Sequence, residues 1–217
     1  PVDPYADDAY FKALGDLAKM AEKGKDNLYL LGVKPTYPSE KYGYIISGES
    51  QGGGCYNVTA FKEKPTVERA KEYITQGALW NCGVFAFRLG YLLEIIRRQI
   101  DFEGYWDVYR QYDKLEKISF DYAVVEKEPR ISCMTYSGVW KDIGTWNTMA
   151  EEMAEATVGN VIPNDTCQNT TVINELSIPV LCMGMKDVIV AVSGDGVLVS
   201  SKAESSNIKP LVDKLNE

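Results

Sequence analysis

Apolar positions along this 217-residue chain recur first at helical spacing and then at strand spacing, and the two patterns alternate over most of its length. In DDAYFKALGDLAKMAEKG, Tyr10, Leu14, Leu17, Ala18 and Ala21 fall on one helical face, and Gly24 stops the helix. NLYLLGV (27–33) reads as a buried strand and YGYII (42–46) as another. GESQGGG reads as a loop, and CYNVTAFKEKP as a half-exposed strand that Pro65 ends. Thr66 then caps a helix, VERAKEYITQG, and LWNCGVFAFRL returns to a strand. Two amphipathic helices, GYLLEIIRRQI and GYWDVYRQYDKL, precede the short strand ISCMTY (131–136).

Strands alternating with helices predict an α/β fold: a mixed, Rossmann-like sheet with flanking helices. The character changes after Ala156, where short valine- and isoleucine-rich strands alternate with polar turns. VIVAVSGDGVLVS predicts a hairpin across its glycine turn, and SSNIKPLVDKL a closing helix. The expected division is therefore 1–156, α/β, and 157–217, a small β-rich, β-helix-like domain ending in a helix.

Charge and composition narrow the chemistry. The net charge of −8 argues against a broad nucleic-acid face, and no apolar run is long enough to cross a bilayer. Five cysteines without C-x-x-C spacing predict free thiols in a reduced, cytoplasmic setting. The chain has no histidine, so serine–histidine and cysteine–histidine catalysis and histidine-ligated metals are excluded. Carboxylates, lysine or arginine, backbone amides and a hard, oxygen-bound cation remain available. The opening PVDPYADDAYF reads as the interior of a longer protein.

Four stretches carry candidate chemistry. PTYPSEKYGYI places Gly43 between two tyrosines, as a bulge or as a point where a ligand approaches the backbone. FKEKP ends a strand with Glu63 beside Lys64, as a solvated strand end or as a binding pair. LWNCGVF sets the polar Asn81 in an apolar strand, and GVWKDIGTW sets Asp142 before a glycine turn. Asp142 or Thr145 could cap a helix from Trp146 toward Ala154. Alternatively, Asp142 could be a metal ligand with a second carboxylate as partner.

Taken in order, PTYP…YGYI, EKP, WNCGVF, FDYAVVEK and KDIGTW resemble the sugar-1-phosphate nucleotidyltransferases, and within them the mannose-1-phosphate guanylyltransferases. The tail from NVIPND onward is similar to that family's C-terminal segment, so the resemblance spans essentially the whole chain. It implies transfer of GMP from GTP to mannose 1-phosphate, with release of pyrophosphate. It assigns Lys64 to the sugar phosphate, and Glu63, Asn81 and the Gly43 backbone to the sugar. It also assigns Asp3 and Asp142 to Mg²⁺. Relatives carry Asp-His where this chain has Asp3-Pro4. Asp121 reads as a helix cap or as a group facing the substrate, with the cap favoured.

The expected partners are the two substrates, without nucleic acid or membrane, and a homodimer is compatible with the resemblance. The family's glycine-rich triphosphate loop is not among these residues, so the expectation is an incomplete catalytic unit, inactive alone. A thymidylyl- or uridylyltransferase would share EKP and the paired aspartates. A non-catalytic sugar-phosphate-binding subunit is the reading from another class.

Overall fold

The computed structural model describes residues 1–215. The chain divides into two compact units, one comprising Pro1 and Ala6–Trp140, the other Val2–Tyr5 and the chain from Lys141 onward. The compositional change after Ala156 falls inside the second unit.

In chain order the first stretch gives β1 (Pro4–Ala6), α1 (Asp8–Lys23), β2 (Leu28–Val33), β3 (Tyr44–Gly52) and β4 (Cys55–Lys62). Next come α2 (Val67–Thr75), β5 (Leu79–Ala86), α3 (Leu89–Arg97), α4 (Tyr105–Arg110) and α5 (Phe120–Ala123), then β6 (Ile131–Tyr136) and β7 (Trp140–Asp142). Strands β1 and β7 pair as a two-stranded ribbon. The other five run β2-β5-β3-β4-β6 in a mixed sheet that curls until its ends meet. β2 and β6 are parallel, and the remaining pairs are antiparallel. The curl closes where β2 and β6 pair, Leu28 to Val33 alongside Ile131 to Tyr136.

β2 reads as a continuous apolar run because both of its faces are covered. Tyr29, Leu31 and Val33 pack with Tyr10, Leu17 and Ala21 of α1 and with Ala70 of α2. Leu28 and Leu30 face the other way, toward Ile45, Phe61, Val125, Ile131 and Cys133. Two sequence expectations shift here. Ala18 is exposed, so the packed stripe of α1 runs through Tyr10, Leu17 and Ala21 with Ala13 and Met20 at its margins. GESQGGG is not a loop throughout: β3 continues to Gly52, and the reversal uses Gly53 and Gly54 at φ +62° and +77°.

The second unit holds α6 (Trp146–Glu152), β8 (Thr157–Val158), β9 (Val161–Pro163), β10 (Thr171–Asn174), β11 (Val180–Cys182), β12 (Val188–Ser193), β13 (Gly196–Ser201) and α7 (Lys209–Leu215). β8, β10 and β12 stack in parallel, with Val172 between Thr157 and Val190. β9 and β11 make a second parallel ladder. Two parallel ladders fed alternately by one chain form a β-helix-like coil. Its interior is Val172, Cys182, Val190 and Val192. β12 and β13 form the expected hairpin. Pro210 is the second residue of α7, in the first turn, where a missing N–H leaves no helical bond unmade.

Candidate functional site

Three strand ends meet at one point. Gly43 directly precedes β3, Glu63 and Lys64 directly follow β4, and Asn81 lies inside β5. The Asn81 backbone N–H donates to the Gly43 carbonyl at 2.8 Å, and that of Lys64 to the Tyr42 carbonyl at 3.2 Å. A Cβ at Gly43 would stand 2.6 Å from Glu63 Oε2 and 2.6 Å from Phe61 Cζ. The buried Phe61 ring and the Glu63 carboxylate together leave room only for glycine, and the carboxylate lies against bare backbone. Lys64 follows in the left-handed region, at φ +46°. For a residue with a long side chain that conformation costs on the order of 1–3 kcal/mol, and it persists only where the surroundings impose it.

The side chains at this point form a linked polar group. Lys64 Nζ lies 3.0 Å from Glu63 Oε1, with the lysine side chain 53% exposed and the glutamate only 7%. Burial pushes the Glu63 carboxyl above its ordinary value, opposed by the Lys64 hydrogen bond and reinforced by Asp121 and Glu126. The hydrogen bond to Glu63 raises Lys64 in turn, so its ammonium stays charged. Asn81 is buried. Its Oδ1 accepts from the Gly83 N–H at 3.1 Å, and its Nδ2 donates to Asp121 Oδ1 at 3.1 Å. One amide proton of Asn81 remains for a ligand.

Asp121 belongs to this site and does not cap a helix, which corrects the favoured reading. Ser119 caps α5, accepting from the Tyr122 N–H. Asp121 sits inside the first turn, with its carboxyl raised by burial and lowered less by Lys64. Tyr122 and Glu126 were also missed. The Tyr122 hydroxyl donates to the Glu63 carbonyl at 3.4 Å, and Glu126 Oε1 accepts from the Glu63 N–H at 2.9 Å. The signal was present in FDYAVVEK, a motif too short to show which way its polar residues face.

The carboxylates expected to hold a cation come together in the second unit. A Cβ at Gly144 would lie 2.7 Å from Asp3 Oδ2 and 2.9 Å from Asp142 Oδ1, so the two oxygens crowd the space of a single carbon. The Ile143 N–H donates to the Asp3 carbonyl at 3.2 Å, and the Gly144 N–H to Asp142 Oδ1 at 2.8 Å. Thr145, not Asp142, caps α6, accepting from the Thr148 N–H. The helix-cap reading of Asp142 is thus removed. Among the described residues no three acidic or cysteine side chains cluster as a full metal cage. Two converging carboxylates fit Mg²⁺, which binds through one or two carboxylates plus substrate phosphates.

The nucleotidyl transferase family model matches residues 5–158. The chain belongs to the nucleotidyl transferase family. It is 29% identical over 96% of its length to an Escherichia coli K12 protein named mannose-1-phosphate guanylyltransferase. It is 31% identical, again over 96%, to the Xanthomonas campestris xanthan biosynthesis protein XanB. It spans about half the length of these curated relatives, 48% in each case. A solved Thermus thermophilus structure, described as a mannose-1-phosphate geranyltransferase, superposes with a TM-score of 0.81 at 30% identity. That match covers all of this chain and 68% of the other. Among the described residues no helix is long and apolar enough to cross a membrane.

The raised Glu63 carboxyl has a measurable consequence. An acid that binds its proton more tightly when folded contributes stability that is present below its ordinary value of 4.5 and lost as pH rises through the raised one. Glu63→Gln removes that loss. Its melting temperature relative to the parent chain should therefore climb as pH goes from about 4 to about 7. A flat or falling difference across that range would contradict the assignment.

Proposed function

We propose that this chain forms the sugar-phosphate-binding part of a mannose-1-phosphate guanylyltransferase, which transfers GMP from GTP to mannose 1-phosphate. The observation that carries this reading is the meeting of Gly43, Glu63, Lys64 and Asn81, from neighbouring strands, with Asp121 from α5. Names of relatives support the choice of mannose and guanosine. Lys64 is the cation among these five residues and takes the phosphate. Glu63 and Asp121 accept from sugar hydroxyls, and the remaining Asn81 amide proton donates to one. Lys64 stands beside Glu63 in a left-handed backbone conformation.

In the reaction a phosphate oxygen of mannose 1-phosphate forms a bond to the α-phosphorus of GTP. The bond from that phosphorus to the bridging oxygen of pyrophosphate breaks, and pyrophosphate leaves. The attacking phosphate is already ionised, so no side chain has to remove a proton, in keeping with a chain without histidine. Positioning and charge neutralisation do the catalytic work. Asp3 and Asp142 would hold Mg²⁺, which supplies the neutralising charge for the converging phosphates. Five free cysteines fit a reducing, cytoplasmic setting for this activity.

These 217 residues contain no glycine-rich run followed by arginine and lysine. We expect the chain alone to bind the sugar phosphate without turning over, and pyrophosphate release from GTP plus mannose 1-phosphate would contradict that. Lys64→Ala should weaken mannose 1-phosphate binding by about tenfold or more in calorimetry, the scale of one charge-assisted hydrogen bond. Unchanged affinity would remove Lys64 from the pocket. Asp142→Asn keeps an acceptor for the Gly144 N–H, so the turn and the melting temperature should survive. Mn²⁺ affinity followed by electron paramagnetic resonance should nonetheless fall about tenfold, because one of two carboxylate charges is lost. Equal affinity would leave Asp142 with a turn-forming role only.

A further inference from the structure

Away from the strand-end site, the first unit has an open cavity of about 720 Å³ between α3 and the chain from α5 to the start of β6. Four cations line it, Arg88, Arg98, Lys127 and Arg130, against two acids, Glu94 and Glu128. In a chain of net charge −8 this local excess of positive charge runs against the whole.

Hydrogen bonding decides which of these groups are available. Glu128 is tied to the wall: it accepts from Asn27 Nδ2 at 3.1 Å, from the Tyr91 hydroxyl at 2.7 Å and from the Arg130 N–H at 2.9 Å. Arg88 is largely used as well, since it donates to the carbonyls of Ala21, Gly24 and Asp26 and so ties down the end of α1. One guanidinium nitrogen of Arg130 donates to Asn27 Oδ1 at 2.6 Å. The side chains of Arg98 and Lys127 have no hydrogen-bond or ion-pair partner among the described residues. Four cations against two carboxylates leave the lining net positive, and Arg98 and Lys127 are the cations in it without a partner among the described residues. Tyr91, fixed by Glu128, and Ile95 and Val124 supply less polar wall.

We propose that this cavity is a second anion site, taking a small phosphorylated metabolite whose phosphate lies between Arg98 and Lys127. Its ring or sugar would rest against Tyr91. The volume suits a ligand of that size and greatly exceeds the need of a lone phosphate. The two sites share no residue, so each can be tested without disturbing the other.

Inorganic pyrophosphate is a suitable probe, with backbone amide shifts read on the labelled 217-residue chain. Titration should move the amides of Arg98, Lys127 and Arg130, and should do so equally in Lys64→Ala. The double variant Arg98→Gln/Lys127→Gln should lose about tenfold or more in affinity at these amides. It should retain any shift near Lys64. Shifts confined to residues near Lys64, shifts near Lys127 that the double variant leaves unchanged, or no saturable shift at all would each overturn the proposal.

Discussion

The Glu63 carboxylate and the Phe61 ring occupy the space that any side chain at Gly43 would need, and three neighbouring strands are arranged around that contact. Glu63 is buried there with the Lys64 ammonium 3.0 Å away, and Lys64 takes a left-handed backbone. Asn81 is drawn in by its backbone bond to the Gly43 carbonyl, and Asp121 by the Asn81 amide. A buried carboxylate with one exposed ammonium and a half-used amide is a poor arrangement for stability alone. Burial raises Glu63 and Asp121 toward their protonated forms, and the Lys64 cation offsets this only in part. Such a cost at strand ends is what a site for a hydroxylated anion would be expected to carry.

The second unit repeats the theme with opposite charge balance. Asp3 and Asp142 are brought against Gly144 by a backbone bond from Ile143 and by the turn that Asp142 itself closes. Two converging carboxylates repel one another, more strongly the less water lies between them. No lysine or arginine forms an ion pair with either one among the described residues, and a divalent cation would reverse the sign of that repulsion.

Much of this was legible from residue order. The strand Leu28–Val33, the Thr66 cap and the hairpin at Gly194 follow from periodicity and turn chemistry, which are local. What periodicity missed depended on side-chain contacts and strand pairing, which a hydrophobic pattern does not encode. Gly24 does end α1, but at φ −78°, and it is glycine because the Tyr29 hydroxyl fills the space a Cβ would need. GESQG is drawn into β3 by its pairing with β4, against its own weak strand propensity. Capping could not be apportioned between Asp142 and Thr145, since both are chemically competent, and the Asp121 cap failed because Ser119, two residues earlier, takes that place. The resemblance to a family brought Gly43, Glu63, Lys64 and Asn81 together on paper. The structure decides Asp121 against the favoured cap, adds Tyr122 and Glu126, and shows what crowds Gly43.

Whether the knot around Gly43 is a sugar-phosphate pocket is tested most directly by a crystal structure of the chain grown with mannose 1-phosphate. The phosphate should lie on the Lys64 ammonium, with sugar hydroxyls within hydrogen-bond reach of Glu63, Asn81 and Asp121. A sugar phosphate bound elsewhere on the first unit, with the Lys64–Glu63 pair still closed, would contradict that assignment.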